Sequence, residues 1–314
     1  MRILVFGGTG FLGSALVPRL VEGGHTVTVL TRDPKSSARL ASMGANVLVG
    51  DLLSSAALSA GLPDVDAMVL IAQPPIFGKR IGARRFACLK DEVLRMHQNA
   101  LALAKQAGCA LVLTAGTAYH TKGSEVADET WPLTRTGIAR IGDGIDPLLN
   151  EARAEGEPRF VRLLPGQIYG PGGMSLKMIE WAKKGRNGII GSGRNCIPRI
   201  HVDDCAEAYV RVVDKLPKLP NGDSFIVADD TPCTSEEFST ELARLLGMPR
   251  PKRVPKLIQL AVRLAVGKYL FETMQMDCRV SNAKLKRHTG WMPRYPSYRE
   301  GLKATIDTLA RRSA

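Results

Sequence analysis

A glycine-rich turn near the start of the chain could bind phosphate through its backbone N–H groups. The segment GGTGFLG, residues 7–13, follows an apolar run at residues 3–6 and opens an amphipathic stretch. Glycines between a strand and a helix permit a tight turn, close approach to a pyrophosphate and close packing of the helix on the sheet. The helix N-terminus adds unpaired N–H groups and partial positive charge. The predicted dinucleotide-binding residues are Gly7, Thr9, Gly10, Phe11, Leu12 and Gly13.

Cationic side chains follow the second predicted strand, where the type of dinucleotide is decided. An NAD enzyme usually places an acidic side chain about 20 residues past the glycines, whereas an NADP enzyme accommodates the 2′-phosphate with arginine. Arg32 lies at that point, Lys35 follows, and Asp33 lies one residue beyond the usual acidic position. A guanidinium offers a planar fork suited to phosphate. The pattern favours NADP(H), bound by Arg32 and Lys35; the alternative is that Arg32 only solvates the strand end.

Four further motifs extend this signal over nearly the whole chain. They are GDL at 50–52, YGPGG at 169–173, HVDD at 201–204 and GWMPRYPSYREGL at 290–302. Together with the glycine turn, they resemble the extended short-chain dehydrogenases/reductases, the NAD-dependent epimerase/dehydratase-like family. The resemblance implies that Asp51 and Leu52 hold the adenine, and that Ala72 and Gln73 pass beside the ribose and nicotinamide. It also implies that Thr114 lies at the cofactor.

The tyrosine and lysine that carry the chemistry of this family have no counterpart in the sequence. None of the six tyrosines is followed by lysine four residues later. Alignment on the family places Ile138 and Gly142 at the two positions, and Ala115 at the position of the usual strand-end hydroxyl. Since neither Ile138 nor Gly142 can ionise, a reductase would need another proton donor. The candidates are Tyr119, which is mainly structural in the family, His120, which could be a surface histidine, and Thr117.

Two more side chains are predicted to border the substrate pocket, namely Tyr169 of YGPGG and Arg199, which precedes HVDD. For Arg199, a surface salt bridge is as plausible as anion binding. His201 is interpreted as structural, and Asp203 or Asp204 could cap the following helix.

Alternating elements must position these residues. Strand-like runs separated by helical patterns indicate βαβ units and a parallel sheet covered on both faces. We therefore predict an α/β fold with a Rossmann doubly wound parallel sheet over residues 1–170, to which segments near 195–230 return. A smaller C-terminal α/β substrate domain would take up most of 171–314. The strand-like runs are 3–6, 26–30, 46–49, 67–72, 110–114, 160–164 and 225–227, and the later helical segments lie near 203–214, 235–246, 256–266 and 297–309.

Bulk composition excludes several classes. The 314 residues are 45% hydrophobic and 23% charged, as in ordinary globular proteins. The chain shows no leader pattern and no apolar stretch of about 18 residues, and its six cysteines lack metal-binding spacing. We therefore expect a cytoplasmic protein with no membrane contact and no metal. Residues 250–314 carry +11 of the formal charge of +13, but aromatic residues are only 5%, so no specific nucleic-acid partner is predicted.

These observations favour an NADPH-dependent reductase of a small organic molecule. Its acceptor would be an imine, an enone or an activated carbonyl, and its proton donor would be non-standard. The alternatives are a redox-inert NADP(H)-binding regulatory protein and a nucleotide-sugar epimerase-like enzyme. A homodimer is possible, because related proteins often pair through helices near 91–106 and 144–154; glycines and Pro147 disfavour the second of these helices.

Overall fold

Seven parallel strands form the central sheet of the computed structural model, which describes residues 1–54, 61–76 and 80–313. The nine strands are β1 (Arg2–Phe6), β2 (Thr26–Thr31), β3 (Asn46–Val49), β4 (Ala67–Leu70), β5 (Ala110–Thr114), β6 (Phe160–Pro165), β7 (Gln167–Tyr169), β8 (Arg199–His201) and β9 (Asp223–Val227). The main sheet has the order β3-β2-β1-β4-β5-β6-β9, and β7 pairs with β8 separately. The strand order reverses between β1 and β4, where open α/β sheets bind their ligands. The predicted Rossmann fold is confirmed.

Helices cover both faces of this sheet. They are α1 (Phe11–Glu22), α2 (Ser37–Ser42), α3 (Ala83–Ala107), α4 (Ile145–Glu155), α5 (Gly173–Lys183), α6 (Val202–Lys215), α7 (Ser235–Leu245), α8 (Lys256–Val266), α9 (Lys268–Thr273), α10 (Ala283–Thr289) and α11 (Tyr298–Ser313). Successive side chains of a strand point to opposite faces. Accordingly Ile3 and Val5 pack in one apolar cluster with α1 and α6, whereas Leu4 and Phe6 pack in another with α3. Burial on both faces explains the continuous apolar runs of the strands.

A late part of the chain returns to the dinucleotide-binding half. Strand β9 pairs with β6, and helix α6 packs against α1. An ion pair of 2.7 Å between Arg19 and Asp203 joins these two helices. Strands β7 and β8, of three residues each, are too short for alternation to be recognised in the sequence. The division into two domains at residue 170 stays a prediction.

Helix α6 begins with a capping interaction that the sequence assigned to the wrong residue. The Nδ1 atom of His201 accepts the backbone N–H of Asp203 at 3.3 Å, so His201 is the N-cap. Asp203 and Asp204 lie inside the first turn, where a side chain cannot act as the N-cap. The His201 side chain is buried, and this burial lowers its pKa to about 4. It therefore remains neutral at physiological pH.

Asp204 instead joins HVDD to the C-terminal motif. Its carboxylate accepts the backbone N–H groups of Arg294 at 2.7 Å and Tyr295 at 3.0 Å. Its carbonyl oxygen accepts the indole N–H of Trp291, a fully buried side chain. The motifs at 201–204 and 290–302 are therefore in direct contact through hydrogen bonds.

We expect the contribution of His201 to the stability of the protein to fall as pH drops from 6.5 towards 4. A depressed pKa in the folded state means that the unfolded chain binds the proton first, so the stabilisation present above pH 6.5 is lost on acidification. With a folded pKa of about 4, linkage gives a loss of ~2 kcal/mol at pH 5 from His201 alone. On going from pH 7 to pH 5, the free energy of unfolding measured in urea should change less favourably for the wild type than for His201→Asn, which keeps a capping oxygen but does not titrate. Equal changes in both proteins would contradict the assignment.

Candidate active site

The glycine turn has room for backbone only. Gly7 has a φ of 97°, and a Cβ atom there would lie 2.6 Å from the backbone of Ala72, just after β4. A Cβ at Gly13 would lie 2.5 Å from the carbonyl oxygen of Gly7. Helix α1 has no side-chain cap at Gly10. The first N–H groups of α1 therefore remain available to an anion at the sheet edge.

The YGPGG motif packs against the same turn. Cβ atoms at Gly172 and Gly173 would lie 2.7 and 2.8 Å from the ring of Phe11, the first residue of α1. The two glycines are required because the aromatic ring occupies the space of their side chains. A loop from the second half of the chain thus contacts the residue that opens the cofactor helix.

Arg32 and Lys35 lie together after β2 with their side chains unengaged. Both are exposed, and neither side chain has a hydrogen bond or ion pair within the described part of the chain. Asp33, the acidic residue next to the position that favours NAD, is held in the local turn. Its carboxylate accepts the backbone N–H of Lys35 at 3.0 Å. The two cations are therefore free to bind a phosphate, while the intervening carboxylate stabilises the loop.

The predicted adenine and nicotinamide contacts lie at the ends of β3 and β4. Asp51 accepts the N–H of Leu53 at 3.0 Å, and the carbonyl of the buried Leu52 accepts the amide of Asn99 on α3 at 2.7 Å. Ala72 is half-buried beside Gly7, and Gln73 is exposed. These four positions share one edge of the sheet with the glycine turn, and their roles toward the cofactor stay predictions.

Thr114 has most of its hydrogen-bonding capacity occupied. Its hydroxyl donates to the carbonyl of Leu70 at 2.7 Å and lies 2.6 Å from the hydroxyl of Tyr209 on α6. When Tyr209 donates, one lone pair of the Thr114 oxygen is left for a ligand. Tyr209 could not be recognised from the sequence, because its contact with β5 depends on the return of α6 to the sheet.

The three candidate proton donors differ sharply in access. The Thr117 hydroxyl donates to the carbonyl of Leu164 at 2.9 Å, and Tyr119 is buried among Leu164, Ala228 and Cys278. Burial raises the pKa of Tyr119 well above its usual value, which makes the phenol a weaker acid. His120 is exposed. Only His120 among the three offers an open titratable group.

The segment aligned with the family's tyrosine and lysine is a short 3₁₀ helix, Gly137–Gly142, rather than part of a long helix. Helix α4 begins only at Ile145. A Cβ at Gly137, where φ is 56°, would lie 2.6 Å from the carbonyl oxygen of Tyr269 on α9. The Ile138 side chain packs with the apolar group around Ile81 and Leu270. The Ile138 side chain is therefore held in a tightly packed apolar cluster.

Tyr169 and Arg199, the predicted pocket residues, are both buried. The Tyr169 hydroxyl donates to Asp229 at 3.0 Å, and burial raises the pKa of Asp229 to about 8. The Arg199 guanidinium lies 4.1 Å from the centre of the Phe238 ring and donates to the carbonyl of Ile197 at 3.1 Å. Its Nε has no partner among the described residues. Arg199 therefore does not form the surface salt bridge considered from the sequence.

Sequence reasoning missed Asp229, although a signal was present. This acid follows the last residue of β9, Val227, by two positions, so it lies at the carboxyl edge of the sheet. Within residues 1–54, 61–76 and 80–313, no group of three or more His, Cys, Asp or Glu side chains could hold a metal ion. No helix in those ranges is long and apolar enough to cross a membrane. All six cysteines are free thiols.

A glycine turn at the point where a doubly wound sheet reverses its strand order defines a dinucleotide-binding Rossmann protein. A sequence model of the NAD dependent epimerase/dehydratase family matches residues 3–228, and the chain belongs to this family. This membership confirms the family resemblance and the nicotinamide dinucleotide as the class of cofactor.

Three similar proteins illustrate the range of the family. The 3-diazoavenalumate denitrifying reductase of a Streptomyces species is 28% identical over 96% of this chain and 99% of its own length. The bovine epimerase family protein SDR39U1 is 31% identical over 83% of this chain and 86% of its own length. A crystal structure of human SDR39U1, isoform 2, with NADPH superposes with a TM-score of 0.80 at 24% identity, covering 98% and 100% of the two chains.

The unengaged side chain of Arg32 allows the preference for NADPH over NADH to be tested. We expect Arg32→Ala to raise the dissociation constant for NADPH by roughly ten- to a hundredfold, because a charge-assisted phosphate contact is lost. NADH binding should change little, since NADH lacks the 2′-phosphate. Calorimetric titration with both cofactors measures this. Arg39→Ala on α2 is the matched control, because Arg39 is also exposed. Equal affinity of the wild type for NADPH and NADH would contradict the prediction.

Proposed function

We propose that the protein is an NADPH-dependent reductase of a small organic molecule whose acceptor is an imine, an enone or an activated carbonyl. One observation carries the proposal: the segment aligned with the catalytic tyrosine and lysine is the glycine-bounded turn Gly137–Gly142, whose Ile138 side chain packs into an apolar cluster. The glycine turn supports cofactor binding, while the sequence lacks the family's usual source of the proton.

The preference for NADPH is supported by charge at the end of β2. Arg32 and Lys35 present two unengaged cations there, and Asp33 is bound to the turn backbone. Human SDR39U1, which shares the fold, was crystallised with NADPH. The 2′-phosphate of the cofactor is the group that these cations would recognise.

The chemistry of the acceptor follows from the missing proton donor. When bound, the cofactor supplies the hydride. A ketone that receives hydride becomes an alkoxide and needs an acid at once, and general acid–base catalysis typically contributes roughly 10²- to 10⁴-fold. An iminium ion is neutralised by hydride, and an enone spreads its charge into an enolate that water or a nearby donor can protonate. A site with Ile138 at the position of the family's tyrosine therefore suits these acceptors better than a simple ketone.

His120 is the proton donor that this arrangement favours for acceptors that need one. Its imidazole is exposed and follows β5 by six residues, at the ligand-binding edge of the sheet. Burial raises the pKa of Tyr119 well above its usual value, so the phenol holds its proton more tightly than an exposed group would. The name of the Streptomyces relative describes reduction of a diazo compound, which is also not a ketone.

The main alternative is a redox-inert NADP(H)-binding regulatory protein. The same turn at Gly137–Gly142 supports it, because a binding protein has no need of a proton donor. A nucleotide-sugar epimerase-like enzyme is less favoured, since epimerisation through a keto intermediate would normally require the absent tyrosine. A cytoplasmic location and a homodimer remain part of the proposal, with α3 and α4 as the helices through which two copies would pair.

The proposal predicts a ranking of acceptors. NADPH consumption should be fast with enones and imines and slow with matched unactivated ketones, and His120→Ala should lower kcat/KM for the enone by up to roughly 10²-fold. Tyr119→Phe should have little effect. His288→Ala removes an exposed histidine of α10 and serves as the control. Efficient ketone reduction that neither substitution affects would refute the proposal. NADPH binding without turnover of any acceptor would favour the regulatory protein.

A further inference from the structure

Helix α8 exposes more apolar surface than an isolated surface residue would account for. None of its eleven residues is buried. The exposed fractions are 81% for Leu257, 53% for Ile258, 51% for Leu260 and 61% for Leu264. Single exposed leucines are ordinary, but a contiguous apolar patch marks a surface that binds something.

The exposed residues form one face of the helix. Leu257, Leu260, Ala261 and Leu264 have the spacing i, i+3, i+4 and i+7, which places them on a continuous stripe. All four are exposed. A helix of a globular protein normally turns such a stripe inward, and α8 turns it outward.

Polar contacts hold α8 in this orientation. The amide of Gln259 donates to the carbonyl of Val254 at 2.7 Å, and its oxygen accepts the N–H of Gly191 at 3.3 Å. At the other end, the guanidinium of Arg80 donates to the carbonyl of Leu264 at 2.9 Å, and the N–H of Ile81 donates to Val266 at 3.2 Å. The helix is therefore attached along its polar side and near its C-terminus.

The segment of the chain that carries α8 is basic, and three of its cations are not paired with any acidic side chain that the structure describes. Residues 242–271 include seven Lys or Arg and no Asp or Glu. Lys252, Lys256 and Arg263 are exposed, and their side chains have no hydrogen bond or ion pair within the described ranges. Lys256 and Arg263 lie on the helix itself, beside the apolar stripe. The patch thus combines exposed leucines with unpaired cations.

We propose that α8 is an interfacial helix that docks the protein on the surface of an anionic lipid bilayer. The leucine stripe enters the boundary between headgroups and acyl chains, and Lys252, Lys256 and Arg263 contact the lipid phosphates. The contact is peripheral and needs no membrane-spanning segment. It differs from the sequence-based expectation of no membrane contact, which rested on the absence of a long apolar stretch.

The combination of charge and apolar surface favours an anionic bilayer over a second copy of the chain and over a nucleic acid. A symmetric contact between two copies through α8 would bring like cations of chains with a formal charge of +13 together. A nucleic acid would complement the cations but would leave the leucines in water. An anionic bilayer satisfies both parts of the surface.

Co-sedimentation with vesicles tests the proposal. The protein should pellet with vesicles of equimolar phosphatidylcholine and phosphatidylglycerol, much less with phosphatidylcholine alone, and less as salt is added. The double variant Leu257→Gln/Leu264→Gln should lose about tenfold or more in vesicle affinity. Lys256→Gln/Arg263→Gln should lose the preference for anionic lipid. The matched control Leu176→Gln/Lys177→Gln changes an exposed leucine and an exposed lysine of α5.

Circular dichroism and NADPH titration establish that each variant is folded, and neither readout depends on turnover. Absence of wild-type binding to anionic vesicles would overturn the proposal, as would equal binding by the α8 variants and the control. Sedimentation equilibrium provides a further check. A dimer that Leu257→Gln/Leu264→Gln dissociates would assign the patch to contact between copies, and would also overturn it.

Discussion

The turn between β1 and α1 packs so closely against neighbouring backbone that it has no space for side chains at Gly7 and Gly13. The rest of the site is arranged around this constraint. Gly7 lies against the chain leaving β4, and Gly13 lies against Gly7 itself. Larger residues would push α1 away from the sheet. Because α1 stays close, its free N–H groups face the edge where β1 and β4 diverge. Phosphate binding is thus a consequence of packing as much as of charge.

The same constraint extends into the second half of the chain. Phe11 opens α1, and its ring excludes side chains from Gly172 and Gly173. Helix α6 lies against α1, with Arg19 paired to Asp203. The motifs that appear scattered in the sequence therefore meet at the cofactor helix, and most of them fix the relative position of the two halves rather than contact a substrate.

The polar groups near the expected reaction centre are largely committed to the fold. Thr117 donates to Leu164, Thr114 to Leu70, and Tyr169 to Asp229. A hydroxyl that already satisfies a buried carbonyl is poorly placed to deliver a proton, because removing it would leave that carbonyl unsatisfied. In the proposed reaction, the proton would therefore come from the exposed His120 or from solvent water, which is why the nature of the acceptor becomes important.

The sequence by itself determined the features that depend on neighbouring residues. Apolar runs bounded by glycine or charge predicted all seven main-sheet strands to within two residues, and the bounds of α8 agreed at both ends. The spacing from Gly13 to Arg32 indicated the cofactor, because one βαβ unit fixes both positions. Tertiary structure decided the features that depend on which distant segment of the chain packs over a residue. Arg199 is buried because Phe238 of α7 lies against it, and His201 rather than an aspartate caps α6. Helix α8 has the amphipathic pattern of a core helix yet faces outward, because a periodic pattern specifies an apolar face but not the segment that covers it.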